Sequence, residues 1–272
     1  MSELPAPGTD VAFAAMKLLA PSEVAALRDW FLPERPGPLI GLHVINTGNG
    51  SCLADRWPDP RALLVETAGN YSLVGDPEAL ALTDLHDRVV GLVEAPESFA
   101  PLLRGTFPDV RVWDRVMLRL DGPPRVTSAA GAAARTLKPD DAYHLWGLSP
   151  DVAWIYKTWG GPSALAASGY AWGAFVGGRL VSVTCTFFTG SAYEDLGVVT
   201  EAGFRGLGLS VACAGGLCRD IQGRGRRPSW TTSPDNVASE RVASKLGFAR
   251  SRADVLYVTG IPIPEPTHPP PA

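Results

Sequence analysis

The sequence predicts an α/β protein built on a mixed, mostly antiparallel sheet flanked by helices. Three observations point there. Short apolar runs with strand character alternate with amphipathic segments along a chain of 272 residues. In the second half, Tyr170–Val176 and Leu180–Phe188 flank Gly177-Gly178, a two-glycine turn that suits a hairpin. Beyond the next strand, Tyr193–Thr200, the order becomes helix, strand, helix, strand. Antiparallel strands followed by such alternation do not make a doubly wound sheet.

The elements follow from local signals. Ser22 is a good N-cap for a helix running to Trp30, which must stop before Pro33. Leu39–Ile45, Ala62–Thr67 and Tyr71–Val74 read as short strands. A helix covers Pro77–His86, Val89–Val93 is a buried strand, Glu97–Arg104 a helix, and Val110–Leu120 a strand. Residues 121–134 are small, Pro-containing and without periodicity, so they are the natural linker between halves of ordinary domain size. Past it, Ser149 or Asp151 caps a helix through Trp159, closed by Gly160-Gly161-Pro162, and Pro162–Ser168 is a short helix. Gly206 to Gln222 is a helix whose Leu207, Val211, Ala214, Leu217 and Ile221 share one face. Pro228–Thr232 is a strand, Asn236–Leu246 a helix, and Phe248–Val258 the closing strand. The expected domains are residues 1–120, an α/β unit, and 135–260. The first ten residues are expected to be frayed, and the tail at 261–272, half proline, cannot build a core.

Composition narrows the function. A net charge of −4 and a pI near 5.6 argue against a general nucleic-acid partner. The early residues lack signal-peptide form and no apolar run reaches 18 residues, so no membrane partner is expected. Cys52, Cys185, Cys213 and Cys218 are scattered without a CxxC pair. They read as reduced thiols of a cytoplasmic protein, with no metal site. Homo-oligomers remain compatible with this composition.

The chemistry concentrates after Thr200. A strand ends there and a Gly-bearing turn runs into a long helix, an arrangement that aims free backbone N–H groups at one spot. Gly206 and Gly208 let a phosphate approach the backbone. A dinucleotide fingerprint would need a third glycine, which Leu209–Ser210 do not supply, and no Gly-Lys-Ser/Thr of a P-loop occurs. Arg205-Gly206-Leu207-Gly208-Leu209-Ser210 fits the acyl-coenzyme A loop Gln/Arg-x-x-Gly-x-Gly/Ala except at its last position, where Ser is a small replacement.

Together with Gly-Val-Val-Thr before this loop, Asn236-x-x-Ser239 and Lys245-Leu246-Gly247-Phe248 after it, the stretch from about 134 to 258 resembles the GNAT superfamily of N-acetyltransferases. The resemblance implies a GNAT-type C-terminal domain, acetyl-CoA as acyl donor and an amine-bearing acceptor. The N-terminal domain would then be a worn-down copy of the same fold without the cofactor loop. By the same resemblance, Val198, Val199 and Thr200 pair with the pantetheine arm, and Arg205 to Ser210 hold the pyrophosphate. Asn236 and Ser239 reach the lower pantetheine or phosphates, although Asn236 also reads as a helix N-cap. Many relatives carry a tyrosine acid where this chain has Ala243. Glu194, eleven residues before Arg205, matches the base of a histone-modifying branch and is the expected catalytic residue, with Asp195 and His144 behind it. The competing class is a CoA-binding regulatory or scaffold module without turnover, which Ala243 favours.

Overall fold

A computed structural model describes residues 15–125 and 132–265. The chain runs through β1 (Lys17–Leu18), α1 (Pro21–Ala25), α2 (Ile40–Thr47), β2 (Ser51–Ala54), β3 (Ala62–Thr67), β4 (Asn70–Gly75), α3 (Leu82–His86), β5 (Gly91–Glu94), α4 (Ala100–Thr106) and β6 (Arg111–Arg119). The second half runs through β7 (Ala133–Thr136), α5 (Ala142–Trp146), α6 (Pro162–Ala167), β8 (Ala171–Val176), β9 (Arg179–Thr189), β10 (Tyr193–Thr200), α7 (Leu209–Gly223), β11 (Arg227–Thr232), α8 (Val237–Leu246) and β12 (Ala249–Thr259).

The twelve strands among the described residues form one sheet, ordered β1-β2-β3-β4-β5-β12-β6-β11-β10-β9-β8-β7.

The centre of that sheet is an exchange of strands. β6 belongs to the first half by sequence, yet it pairs antiparallel with β11 (Thr231 opposite Met117) and with β12 (Asp254 opposite Arg115). In return β12, the last strand of the second half, pairs with β5 (Tyr257 opposite Val93). Side chains explain the trade. Val116, Leu118 and Leu120 fill the core beneath α7 and α8, with Leu217, Ile221, Trp230 and Leu246. Tyr257 fills the core beneath α3 and α4, with Leu85, Phe99 and Leu103. Each half therefore completes the other's core, and burying these apolar side chains is the main force holding the seam. The expected boundary at 121–134 divides the chain, but it does not divide the sheet. Residues 126–131 and 266–272, part of the expected linker and tail, lie outside the described residues, as do the first ten.

On the other face lie α1 and α2 over the first half, and α5 and α6 over the second. Here the structure corrects one expectation. Leu39–Ile45 is not a strand: Ile40–Thr47 is a helix, α2, with Ile40, Leu42, His43 and Val44 all buried. Its first five residues are all buried, so that stretch shows no polar face from which helical periodicity could be read. His43 then ties the halves together. Its Nε2–H donates to the Thr158 carbonyl (2.9 Å), and its Nδ1 accepts from the Thr189 N–H (3.2 Å). Burial pushes its pKa down to about 4, so the ring is neutral and its two hydrogen bonds fix the tautomer. The expected helix from Ser22 to Trp30 is shorter, Pro21–Ala25 followed by a 3-10 turn at Arg28–Phe31. Likewise Ala153–Trp159 is 3-10 rather than α, ending at Gly160 in the left-handed region. The hairpin of β8 and β9 and the strands β3 and β10 stand where the sequence puts them. No helix among the described residues is long and apolar enough to cross a membrane.

Candidate functional site

The site begins where β10 and β11 part. They run parallel and in register only from Tyr193 opposite Arg227 to Leu196 opposite Trp230. Gly197 to Thr200 keep their pairing with β9 on one edge, while no pairing with β11 is made on the other. Backbone groups that leave a ladder must find another partner, so this edge is suited to an extended ligand. Val198 and Thr200 are half-buried beside the opening, and Val199 packs into the core beneath α5 and α6. The Thr200 hydroxyl bonds with that of Ser182 (2.8 Å).

The loop that follows is shaped by two glycines. Gly206 (φ 81°) and Gly208 (φ 77°) both adopt the left-handed conformation, and a Cβ at either would meet nothing within 4 Å. Space lies open in front of both. Gly208 caps α7 without any side-chain hydrogen bond, and the first intrahelical bond is Ala212 N–H to the Gly208 carbonyl (3.1 Å). The N–H groups of Leu209, Ser210 and Val211 therefore have no helical acceptor, and the helix dipole adds positive potential at the same spot. Arg205 turns back on the loop, its Nε donating to the Thr200 carbonyl (3.3 Å). Leu209 is buried and Leu207 exposed, so both serve this cradle through their backbone. The set fits a pyrophosphate. Gly216, farther along α7, has another reason: a Cβ there would stand 2.4 Å from the Trp172 ring, so only glycine lets the helix settle on the sheet.

Asn236 caps α8 through its side-chain oxygen, which accepts from the Ser239 N–H (3.1 Å), and its amide NH2 remains available. The Ser239 hydroxyl accepts from the Trp230 indole (2.9 Å), so its first duty is to hold that ring. Ala243 is fully buried in the core and offers no proton. No metal-binding cluster of His, Cys, Asp or Glu occurs among the described residues.

Glu194 is not placed to act as a base. It is fully buried, and its two oxygens accept from Arg224 Nε (2.9 Å), an Arg224 terminal nitrogen (2.7 Å), Arg226 (3.1 Å) and the Thr186 hydroxyl (2.5 Å). A carboxylate has about four lone-pair positions, and four donors fill them. It shares the face of Leu196 and Val198, as strand alternation requires, but that face lies under α7 and α8. The expectation of a catalytic Glu194 is thus overturned by its ion pairs, which no local sequence pattern could reveal: Arg224 and Arg226 lie beyond a whole helix.

Its neighbour points the other way. Asp195 lies on the face of Gly197, where a Cβ would meet Ile155 and Phe187. Asp195 Oδ1 accepts from the Ser229 hydroxyl (2.8 Å) and the Thr231 hydroxyl (3.1 Å), and Oδ2 takes no hydrogen bond from any described residue. Burial raises its pKa to about 6, while the two hydroxyls and the charges of Arg115 and Arg252 pull it back. Glu94, on β5, is raised to about 7 by the same desolvation. Asp195 stands opposite Ser229, one row before the last pair, Leu196 and Trp230, beyond which β10 and β11 separate. Trp154, partly exposed, meets Phe187 edge to face at 5.3 Å and walls the same side. His144, by contrast, lies tilted against Tyr143 (3.9 Å) and meets Phe175 edge to face (5.2 Å).

Comparison with known proteins gives the family and the fold. The family model for GNAT acetyltransferases matches residues 147–257. An uncharacterized N-acetyltransferase of the mutA 5′ region in Streptomyces virginiae is 42% identical over 76% of this chain and 88% of its own length. The uncharacterized N-acetyltransferase YdfB of Bacillus subtilis is 25% identical over 78% of this chain and 86% of its own. Among solved structures, a GCN5-related N-acetyltransferase-like protein from Streptococcus suis superposes with a TM-score of 0.66, at 18% identity, over 87% of this chain and 98% of that one. A tandem GNAT protein from the clavulanic acid biosynthesis pathway covers 92% of this chain and 99% of its own at TM-score 0.55 and 16% identity.

Proposed function

Because the chain belongs to the GNAT acetyltransferase family, we propose that it moves an acetyl group from acetyl-CoA directly onto a primary amine, with Asp195 as the base. The observation that carries this reading is the adjacency of two features: an open turn with free helix N–H groups and, one strand-length away, a carboxylate at the parting of β10 and β11. When bound, acetyl-CoA supplies an activated acetyl group on a thioester. The protein's residues do the rest. N–H groups of Leu209, Ser210 and Val211 hold the pyrophosphate, and the free edge from Val198 to Thr200 orients the pantetheine arm. An amine arrives as an ammonium at neutral pH and must lose a proton before it can attack. Asp195 Oδ2 is the free acceptor for that proton, directly or through one water. A carboxyl with a pKa near 6 is ionised at pH 7 and still a useful base.

Asp195→Asn keeps the size and removes the basicity, and kcat should fall by about 10²- to 10⁴-fold, the range of a positioned base. The Kd for CoA should stay fixed. In the wild type, kcat/KM should rise with pH through about 6 as Asp195 ionises, and the variant should lose that limb. The groups facing Asp195 that could shape the limb are Arg115, Arg252, Glu94 and the Ser229 and Thr231 hydroxyls. Wild-type kcat in the variant would remove Asp195 from the mechanism. A CoA-binding module without turnover is the second reading, favoured by the buried Ala243 in place of an acid. Thiol release from acetyl-CoA with an amine panel separates the two, since a pure binder releases none.

A further inference from the structure

Near Asp195 stands a cation that makes no ion pair among the described residues. Arg115 lies in the middle of β6, on the face opposite Val116 and Leu118, and is half-buried. Asp254 is directly across the β6–β12 ladder, but that carboxylate is taken by Arg252. Arg115 makes no ion pair within 4 Å among the described residues, its Nε is buried without a partner, and its guanidinium lies 3.9 Å over the Trp113 ring. Burial draws its pKa down to about 10, with Asp195 and Asp235 pulling it back. Leaving a buried charge without a partner is costly, so a site of this kind favours a ligand that brings the missing anion.

The strand register gives the spacing. Thr231, which donates to Asp195, sits opposite Met117, and Arg115 is the next residue of β6 on that face. Two strand spacings, roughly 10 Å, separate the backbones of β10 and β6, and both side chains reach inward from that span. One carboxylate oxygen and one guanidinium Nε, each without a hydrogen bond among the described residues, thus lie on the same face of the sheet, as does Phe187 with Trp154 packed against it.

We propose that the acceptor is an amino acid or a comparable small aminocarboxylate, its amine at Asp195 and its carboxylate on Arg115. The planar guanidinium, fixed on Trp113, matches a planar carboxylate, and one unpaired cation matches one negative charge. The amine's role rests on the acetyl-transfer reading. The anion site does not. It also gives the first half a part in the reaction, because Arg115 is carried by the exchanged strand.

The test uses the full chain and two matched pairs, alanine against ethylamine and phenylalanine against phenethylamine, with acetyl-CoA and a thiol-release readout. Within at least one pair, kcat/KM for the amino acid should exceed that for the simple amine by tenfold or more. Arg115→Gln should erase that preference with CoA affinity unchanged, and Arg115→Lys should restore part of it. Calorimetry on the CoA-saturated protein provides a readout without turnover: N-acetylalanine and N-acetylphenylalanine against the acetylated amines. Arg115-dependent binding of either acetylated amino acid, with no thiol release from any amine, would sink acetyl transfer and leave the anion site standing. Acetylation of the simple amines alone, a preference that survives Arg115→Gln, or no Arg115-dependent binding of either acetylated amino acid would overturn this proposal.

Discussion

The two halves each contain a strand that runs into a helix beside a parallel partner strand, and only one of the two turns is open to an anion. In the first half, β4 pairs in parallel with β5 from Asn70 opposite Leu92 to Ser72 opposite Glu94, as β10 pairs with β11. After β4, however, the turn is Gly75-Asp76-Pro77-Glu78. Asp76 accepts from the Glu78 N–H (2.9 Å) and pairs with Arg61, and the Glu78 N–H bond and Arg61 hold its pKa below the usual carboxylate range. The helix that follows, α3, has 5 residues and is capped by Asp84, which accepts from the Ala81 N–H (2.8 Å). The place a phosphate would take is already held by the chain's own carboxylates. In the second half the cap is glycine, the helix has 15 residues, and the first N–H groups are free. One architecture thus has two ends, and the residues at a single turn decide which end presents free N–H groups.

The largest effect that would sharpen this comparison is loss of the first half. A fragment beginning at residue 132 lacks β5 and β6, so Leu118 and Val116 vanish from the core under α7 and α8, β11 keeps only β10 beside it and β12 loses both its partners. It should show no cooperative melting. A fragment that melts cooperatively and gains stability from CoA would make the halves independent after all. Next comes Glu194. With two arginines around it in a buried site, Glu194→Gln should cost about 3–5 kcal/mol, read as a drop in the urea midpoint. A fall in kcat with stability intact would return it to the chemistry. The smallest effect belongs to the closed turn: Asp76→Ala should leave CoA affinity unchanged and shift the Tm only slightly, and weaker CoA binding would mean that the first half contributes to the cofactor site.

Much of this was legible in the sequence, and the losses have physical causes. The Gly206 to Ser210 turn, the Gly177-Gly178 hairpin and the Asn236 cap all work within a few residues, and local signals carry them. Long-range pairing is different. The exchange of β6 for β12 joins Arg115 to Asp254, whose separation in sequence no periodicity spans, so both the seam and the Arg115 site were hidden. Alternation placed Glu194 and Asp195 on opposite faces correctly, but it could not tell which face lay beneath α7 and α8. Glu194 was expected as the base from its spacing, eleven residues before Arg205, and that spacing carries no trace of Arg224 and Arg226 as its partners. The buried helix α2 was misread because its own polar face is missing.

The central claim is that the turn after β10, and not the turn after β4, holds the cofactor. Its most direct test is calorimetric titration of the full chain with CoA, in the wild type and in Gly208→Val. At Gly208, φ is 77° and the space in front is open, so a branched side chain both strains the cap and enters the phosphate path. The account predicts one site per chain, with affinity reduced tenfold or more in a variant whose melting shows it folded, as expected when charge-assisted contacts of about 1.5–3 kcal/mol are lost. Two sites per chain, or unchanged affinity in the folded variant, would contradict it.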